Sequence, residues 1–377
     1  MPNISGDEKI CQPEDKTKKK IKLVNKEIDI SIYKQFPAER VLAWYDEFGR
    51  DLPWRVRGPS RADAYHVFLS ELMLQQTGVS TVIPYFLRFT ERWPTIESLA
   101  QASEEDILAQ WAGLGYYARA RNMHKAARHI CDLHDGHFPE DQQTLLSLPG
   151  IGPYSAGAIA AIAFGKAAIV LDGNIERILV RYGALKKTVK QLKPDLAKAY
   201  ALCLPDRRHS DFPQALMDIG AMICQPRRAV CSHCPLQSGC KSADQPFRMD
   251  LPIKETKVKK PHRKGRVFII VNKKGECAMH RRPAKGLLGG MLSFPSYGWD
   301  KTPPFAFLSE LEKQFDLQLL DTKVKHVFTH FSAEISVYTG QTSQISRLPA
   351  DWVWQRCDAK SLSSLMAKCW HLYKSAA

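Results

Sequence analysis

The chain has 377 residues, of which 44% are apolar, and this length is sufficient for two or three domains that each have a hydrophobic core. Its net charge of +15 indicates a polyanionic partner, of which nucleic acid is the commonest kind. Apolar runs are all shorter than the roughly 18 residues that a membrane-spanning helix requires, so the sequence predicts no membrane association.

The N-terminal residues 1–30 are polar and mixed in charge, and the first 20 lack the apolar segment of a secretory signal. We predict a disordered polar tail there. Six of the ten cysteines are scattered along the chain without a pairing rhythm, which indicates a reducing compartment. We therefore expect a cytoplasmic protein.

Residues 31–242 have a helical pattern, because apolar residues recur at intervals of three and four. The clearest patterns run through 41–45, 67–89 and 107–117. Segments that contain proline separate the patterns and predict helix ends. These segments are 51–53, 93–94, 138–139 and 148–150.

Glu71 lies in this helical region, inside the apolar segment 67–74, and its neighbours on the helix face are Val67, Phe68 and Leu74. A charge on an apolar face is unfavourable unless it is paired or used chemically. Burial would raise the pKa of Glu71 and favour its protonated form, which can donate a proton. A glutamate held in the core by a salt bridge is the alternative.

A glycine-rich turn at 148–157 joins two helical patterns and carries Gly150 and Gly152 at alternate positions. Backbone amides in such a turn can approach an anion, and the dipole of the helix that follows adds to the attraction. The turn resembles a helix-hairpin-helix motif, which grips a DNA phosphate without reading sequence. Glycine-rich helix connections are common, so the motif alone is moderate evidence. The evidence becomes strong because a cluster of four cysteines, described below, follows some 70 residues later.

Asp172 lies 22 residues after Gly150 of the hairpin, at the end of an apolar run. The ordinary interpretation is a helix N-cap. A carboxylate at a helix start close to a phosphate-binding hairpin is also placed to face a sugar.

A compact cysteine cluster has the spacing C-x6-C-x2-C-x5-C within 17 residues. Its members are Cys224, Cys231, Cys234 and Cys240. Four thiolates are the usual ligands of a [4Fe–4S] cluster or of a tetrahedral zinc ion. Zinc sites usually pair two C-x2-C units and this segment has one, so we predict the iron–sulfur cluster, with zinc or unliganded thiols as alternatives. Arg227 and Arg228 lie in the six-residue loop, where they either face a phosphate or remain solvated.

A basic stretch follows, with nine Lys or Arg and three acidic residues in 241–266. We predict an interdomain linker at 243–264. It either runs along a phosphate backbone or is a solvated linker without a DNA contact. Residues 265–377 then change in character and predict a smaller α+β domain. β-branched and aromatic residues predict its strands, with a turn at 272–275. The predicted strands are 267–271, 326–331 and 335–338.

Residues 38–377 resemble the MutY family of adenine DNA glycosylases, within the endonuclease III superfamily. The matching segments, besides the four cysteines, are 52–55, 70–77, 113–122, 148–157, 171–174 and 217–221. The resemblance implies a helix-hairpin-helix glycosylase domain with a [4Fe–4S] cluster, followed by a Nudix-like domain. It further implies removal of adenine opposite 8-oxoguanine or guanine in double-stranded DNA, by a monomer associated with the bacterial nucleoid.

On this resemblance, Glu71 matches the acid that protonates the leaving adenine, and Asp172 matches the carboxylate that stabilises the oxocarbenium-like sugar. N-glycosidic cleavage independently requires a protonated base and a negative group beneath C1′. Asn174, Tyr154 and Arg55 match positions that support the site. A non-catalytic iron–sulfur protein that binds DNA, which is a rival interpretation, would not need these two carboxylates together.

Tyr154 also distinguishes subfamilies, because bifunctional endonuclease III relatives have a lysine there that forms a Schiff base and cleaves the strand. A tyrosine cannot do so, and we expect a monofunctional enzyme. Gln76 and Tyr116 match residues that wedge into the duplex, which offsets part of the unstacking cost of base flipping. Ordinary core packing is the alternative for the tyrosines.

The segment 287–295 resembles the Nudix-like domain of the same family. Nudix hydrolases need a cluster of glutamates on the next helix, and 308–313 has two, so we expect no pyrophosphatase activity. Phe328, Thr329 and His330 match the loop that senses 8-oxoguanine. A hydroxyl can accept from the N7–H of the lesion, and threonine keeps the hydroxyl of the usual family serine while restricting χ1.

Overall fold

The computed structural model describes residues 28–57, 60–255, 260–283, 286–300, 317–342, 351–359 and 362–376. The predicted tail falls outside the described residues, apart from 28–30. The predicted glutamates of the Nudix segment, Glu310 and Glu312, also lie outside them.

The first part of the chain is helical, as predicted, and short loops join its helices. In chain order they are α1 Ala38–Phe48, α2 Ala64–Leu74, α3 Val79–Arg92, α4 Ile96–Gln101, α5 Glu104–Trp111, α6 Ala118–His134, α7 Gln142–Ser147, α8 Pro153–Phe164, α9 Gly173–Tyr182, α10 Val189–Cys203 and α11 Asp211–Met222. Within the described ranges, no helix is long and apolar enough to cross a membrane.

Helices α2 and α8 lie at the centre of this part because they are apolar on nearly every side. All residues from Val67 to Met73 are buried, including Glu71. Half of the residues of helix α8 are alanine or glycine, which allows close backbone approach. A Cβ added at Gly157 would lie 2.1 Å from the carbonyl oxygen of Ile169. The extended segment that leads to Asp172 therefore packs directly against the helix that follows the hairpin.

Two of the predicted helical patterns are interrupted in the structure. The pattern through 67–89 is broken between α2 and α3, where Gln76 has φ 61°. The pattern through 107–117 ends at Trp111, and Gly113 and Gly115 follow with φ of 102° and 70°. A left-handed residue cannot continue a right-handed helix. Apolar periodicity does not report backbone conformation, so the sequence pattern runs through both breaks.

The second part of the chain is a mixed sheet with a helix packed on it. Its elements are β1 His262–Asn272, β2 Cys277–Arg281, β3 Leu292–Ser293, β4 Ser296–Tyr297, β5 Gln318–Leu319, β6 Val324–Val327, β7 Ser332–Thr342, β8 Trp352–Gln355 and α12 Ser364–Ala376. The strand order is β3-β2-β1-β7-β5, with β4 beside β1, β6 beside β7 and β8 beside β2. Strands β1 and β7 are parallel, with His262 opposite Ser332, and the other pairs are antiparallel. The predicted fold class, an all-helical domain followed by a smaller α+β domain, is confirmed.

The predicted strand at 326–331 is only partly correct, because β6 ends at Val327. Residues 328–331 form a turn in which the Phe328 N–H donates to the Phe331 carbonyl at 2.8 Å. Phe328 stacks on Trp299 with ring centroids 5.6 Å apart and on Phe331 at 4.5 Å. The aromatic composition therefore reflects a buried stack beneath a turn. Strand β1 begins inside the segment that we predicted as linker, and the domain boundaries stay predictions.

The two parts of the chain contact each other along α5 and α6. The Arg121 guanidinium donates to the Gly289 carbonyl at 2.6 Å. Arg281 and Glu105 form a second contact at 3.3 Å. Met291, which follows the glycines of the sheet part, packs into the core of the helical part. The segment 287–295 thus joins the sheet to the helices.

Candidate active site

A cavity of about 1100 Å³ opens between α2, the hairpin and the start of α9. This space is large enough for a nucleotide. Predicted site residues from four separate sequence motifs line it. They are Arg55, Glu71, Gln76, Gly150, Gly152, Tyr154, Asp172 and Asn174. The fold therefore brings the hairpin and both candidate carboxylates to one space.

Glu71 is 5% exposed on α2, and its Oε2 atom has no hydrogen-bond partner. Burial raises the pKa of its carboxyl from the usual range to about 7. The nearby Asp172 carboxylate raises this pKa further, whereas a hydrogen bond with the Tyr154 hydroxyl and the charge of Arg55 oppose the rise. Near neutral pH, Glu71 therefore has a large protonated fraction and an oxygen available to a ligand. Such a group can act as a general acid.

Asp172 is the N-cap of α9, as the sequence predicts. Its Oδ1 accepts from the N–H groups of Asn174 at 3.0 Å and Ile175 at 2.7 Å. Its Oδ2 accepts from the Asn174 side-chain amide at 2.7 Å. Burial raises the pKa of Asp172, and these three hydrogen bonds oppose that rise because they favour the ionised form. The result is a carboxylate held in a fixed orientation at the wall of the cavity.

Arg177 fixes the amide of Asn174 and was not singled out by the sequence. Its guanidinium donates to Asn174 Oδ1 at 2.8 Å, to the Gly220 carbonyl at 2.7 Å and to the Cys224 carbonyl at 2.7 Å. A Cβ added at Gly220 would lie 2.5 Å from the Asn174 Cβ, so α11 and the start of α9 are in close contact. Arg177 therefore links the Asp172 cap to the start of the cysteine loop.

Arg55 is held by Asp218, which the sequence analysis did not identify as a site residue. The Arg55 guanidinium donates to both Asp218 carboxylate oxygens, at 2.7 and 2.9 Å. Asp218 also accepts from the Arg50 backbone N–H and Nε, at 2.8 and 2.7 Å. Burial raises the pKa of Asp218, but these hydrogen bonds outweigh burial and hold the pKa below its usual range. An acid inside an apolar run identified Glu71, and the same signal in 215–221 would have identified Asp218.

The two positions of the hairpin are occupied by glycine for different structural reasons. Gly150 has φ 80°, and an added Cβ would lie 2.6 Å from the Asn122 Cβ on α6. Gly152 is the N-cap of α8, and an added Cβ would meet nothing within 4 Å. The first glycine is needed for the turn itself, and the second leaves the start of α8 open to an approaching group.

The remaining predicted residues lie outside the cavity. Tyr116 is 46% exposed, and its hydroxyl lies 3.2 Å from the Thr329 hydroxyl. Thr329 and His330 are exposed at the tip of the turn after β6, and Phe328 is half-buried beneath them. The structure thus brings Tyr116 and the turn at 328–330 together, and none of these residues is among those that line the cavity.

The four cysteines of the predicted metal site line a second, small cavity. Arg181 donates to the Cys224 sulfur at 3.2 Å. Two further atoms of the lining residues, Ser242 Oγ and Arg248 Nε, are buried without a hydrogen-bond partner. Unpaired buried polar atoms beside four thiols fit a polar group that occupies this space. Arg227 and Arg228 are exposed on the loop between Cys224 and Cys231.

The thiol arrangement bears on the kind of metal site. In the part of the chain that the structure describes, no three His, Cys, Asp or Glu side chains converge closely enough to hold a single metal ion. A four-iron cluster separates its thiolate ligands more widely than one ion does. Four cysteine side chains around one cavity are the usual ligand set of a [4Fe–4S] cluster or of a tetrahedral zinc ion.

Comparisons with known proteins agree with this architecture. The family model of the HhH-GPD superfamily base excision DNA repair proteins matches residues 69–201, and the NUDIX domain model matches residues 266–372. The adenine DNA glycosylase of Homo sapiens is 33% identical in an alignment 403 residues long, and the alignment covers 89% of this chain and 73% of that protein. The adenine DNA glycosylase of Buchnera aphidicola subsp. Baizongia pistaciae is 36% identical over 260 residues, which cover 69% and 73% of the two chains.

A solved structure of a thermostable thymine-DNA glycosylase has a TM-score of 0.50 with this chain at 26% sequence identity. The similarity covers 56% of this chain and 96% of that one. The helical part is therefore the glycosylase fold, and the relatives extend the match into the sheet. The chain belongs to the adenine DNA glycosylase family, and it is a DNA N-glycosylase of base excision repair.

Proposed function

We propose that this enzyme removes adenine mispaired with 8-oxoguanine or guanine in duplex DNA, by hydrolysis and without cutting the strand. The relatives are named adenine DNA glycosylases, and this supports adenine as the base removed. One observation carries the mechanism: Glu71, buried with an unpartnered oxygen, lines the same cavity as the fixed carboxylate of Asp172.

In the proposed reaction, an adenine flipped from the duplex enters the cavity and meets the protonated Glu71. Glu71 gives its proton to a ring nitrogen of adenine, so that the C1′–N bond breaks with a neutral leaving base. Asp172, held by three hydrogen bonds, opposes the positive charge that develops on the sugar. Water then adds to C1′ and gives a proton to the Glu71 carboxylate, which restores the acid. Tyr154 orients the Glu71 carboxyl, and Asn174 orients Asp172. The positive charge of Arg55 acts on both carboxyl groups.

DNA contacts complete the proposal. The amides near Gly150 and Gly152 bind a backbone phosphate, and Arg227 and Arg228 bind a second stretch of the backbone. Gln76 and Tyr116 enter the duplex where the adenine leaves it. The protein works as a monomer, in the cytoplasm and on the bacterial nucleoid. Its proposed domains are a tail at 1–30, a glycosylase domain at 31–242, a linker at 243–264 and a lesion-recognition domain at 265–377.

Lesion recognition is proposed for the turn that carries Phe328, Thr329 and His330. The Thr329 hydroxyl can accept from the N7–H of 8-oxoguanine, and guanine has no donor at that atom. His330 is exposed beside it and can contact the same base. Phe328 supports the turn through its stack on Trp299 and Phe331.

The cysteine loop is proposed to hold a [4Fe–4S] cluster through Cys224, Cys231, Cys234 and Cys240. When bound, the cluster ties these four residues together and so fixes the loop that carries Arg227 and Arg228. Purified protein should be brown, with about four iron and four sulfide per chain. Cys231→Ser should lower the yield of folded protein more than the rate of base excision per folded molecule. Stoichiometric zinc without visible absorption in anaerobically purified protein would contradict the cluster.

The strand-cleavage prediction tests the proposed function directly. Incubation with a duplex that contains adenine opposite 8-oxoguanine should leave an abasic site, and the strand should break only after alkali is added. Borohydride should trap little enzyme on the DNA, because residue 154 is a tyrosine. Lys193 lines the cavity and is the amine to test, so Lys193→Met should leave trapping unchanged. Strand scission without alkali, together with efficient trapping, would show a bifunctional enzyme.

A further inference from the structure

Gln76 and Tyr116 have an unusual backbone in common. Both have a left-handed conformation, with φ of 61° and 48°, although neither is glycine. Side chains with a Cβ adopt this conformation only when the surrounding structure holds them there. Gln76 lies in the loop after α2, and Tyr116 lies in the loop before α6. The two loops are 40 residues apart in sequence, so tertiary contacts must align them.

One side chain, Arg119, contacts both loops. Its Nη1 donates to the carbonyl groups at the end of α2, those of Leu72 at 3.1 Å, Met73 at 2.8 Å and Gln75. These carbonyls have no partner within their own helix, and a cation at a helix C-terminus is also favourable. Arg119 thus fixes the backbone on the N-terminal side of Gln76.

The other terminal nitrogen of Arg119 reaches the second loop. Its Nη2 donates to the Thr77 hydroxyl at 3.0 Å and to the carbonyls of Leu114 at 3.1 Å and Gly115 at 3.3 Å. The guanidinium carbon also lies 5.4 Å from the ring centroid of Tyr116. A planar fork with five donors suits this double contact, whereas a lysine ammonium is a single point charge.

We propose that Arg119 is a positioning residue that holds the loops of Gln76 and Tyr116 as one unit, so that both side chains enter the duplex together when a base is flipped. The proposal rests on the proposed function, which assigns Gln76 and Tyr116 to the opened duplex. Arg119 itself does not touch the reacting atoms. Its effect should therefore fall on base flipping and not on cleavage of the glycosidic bond.

The test compares two substrates in single-turnover excision at saturating enzyme. One is a duplex with adenine opposite 8-oxoguanine, and the other has adenine opposite an abasic-site analogue, where the base is already unpaired. Arg119→Lys should slow excision from the paired duplex by about 10²-fold, the scale of a misplaced positioning group. Excision of the unpaired adenine should stay near the wild-type rate. Fluorescence of 2-aminopurine beside the adenine should show the same slowed flipping.

The matched control is Arg128→Lys, because Arg128 is an exposed arginine on the same helix with one backbone contact, to the Ala100 carbonyl. It should leave both rates unchanged. If Arg119→Lys does not fold, Thr77→Val offers a second test, because it removes only the hydrogen bond between Arg119 and the Thr77 hydroxyl. It should produce a smaller loss of excision rate that is again confined to the paired duplex. An equal loss on both substrates would contradict positioning, and so would wild-type rates for both variants.

Failure of the wedge assignment is separable from failure of this inference. Tyr116→Ala should slow the paired substrate selectively if Tyr116 acts in the opened duplex. If Tyr116→Ala affects neither substrate, the wedge role of Tyr116 in the proposed function is wrong, and the proposal that Gln76 and Tyr116 act as one unit is wrong with it. If Tyr116→Ala is selective and Arg119→Lys behaves as wild type, only the role of Arg119 is wrong.

Discussion

Glu71→Gln and Asp172→Asn should each abolish most base excision while leaving the protein folded and able to bind the mispaired duplex. Glutamine matches the shape of glutamate but has no acidic proton to transfer to adenine. Asparagine keeps an oxygen that can cap α9 but loses the charge that opposes the oxocarbenium-like sugar. General acid catalysis typically contributes about 10²- to 10⁴-fold, so each variant should lose at least about 10²-fold in rate.

Single-turnover excision at saturating enzyme measures this loss without interference from binding. Glu91→Gln is the matched control, since Glu91 is exposed on α3 and is not among the residues that line the cavity. It should excise adenine at the parent rate. Binding to a duplex with adenine opposite 8-oxoguanine should be retained in all three variants. If Glu71→Gln retains the parent rate, Glu71 is an ordinary core residue and the proposed mechanism is wrong.

Thr329→Ala combined with His330→Ala should reduce the preference for adenine opposite 8-oxoguanine over adenine opposite guanine. Both side chains are exposed at the turn after β6, where they can reach the lesion. Losing one or two hydrogen bonds to the lesion corresponds to roughly 1–3 kcal/mol, or about one to two decades of discrimination. Thr329→Ser should keep the preference, because serine also provides the hydroxyl.

The comparison for this prediction is the ratio of single-turnover rates and of affinities on the two duplexes. Thr322→Ala is the control, since Thr322 is exposed just before β6. His330→Ala alone separates lesion contact from the Tyr116–Thr329 hydrogen bond, which the Thr329 variant also removes. Equal ratios for wild type and the double variant would mean that the turn at 328–330 does not sense the lesion.

Local sequence signals predicted much of the fold and the candidate site. Proline and glycine breakers marked helix ends, and Asp172 was predicted as the cap that it forms. Glu71 was conspicuous because a charge stood in an apolar helix. The cysteine spacing predicted one cluster of thiols, and the four side chains line one cavity. Each of these features is encoded within a few neighbouring residues.

The supporting interactions could not be predicted in this way, because they join residues far apart in the chain. Arg119 reaches back 47 residues to the Leu72 carbonyl, and Arg177 reaches forward 47 residues to Cys224. Arg55 meets Asp218 across 163 residues. In the sequence, each of these arginines resembles a solvated charge on a helix or loop. Left-handed backbone at Gln76 and Tyr116 likewise has no signal in apolar periodicity.

The pH dependence of excision is the most direct test of Glu71 as the proton donor. Its pKa is raised to about 7, so the protonated form is lost as the pH rises through that value. A flipped adenine would displace water and raise this pKa further. Asp172 must be ionised, and its pKa is also raised, so the rate should fall again toward acid.

Single-turnover rate constants of the wild type should therefore fall along an alkaline limb at or above pH 7 and should also decrease toward acid, where Asp172 becomes protonated. Glu71→Gln should retain a small residual rate and lose the alkaline limb, because no proton remains to be lost at that site. A wild-type rate that stays flat through the alkaline range, or an alkaline limb that survives in Glu71→Gln, would contradict the central role of Glu71.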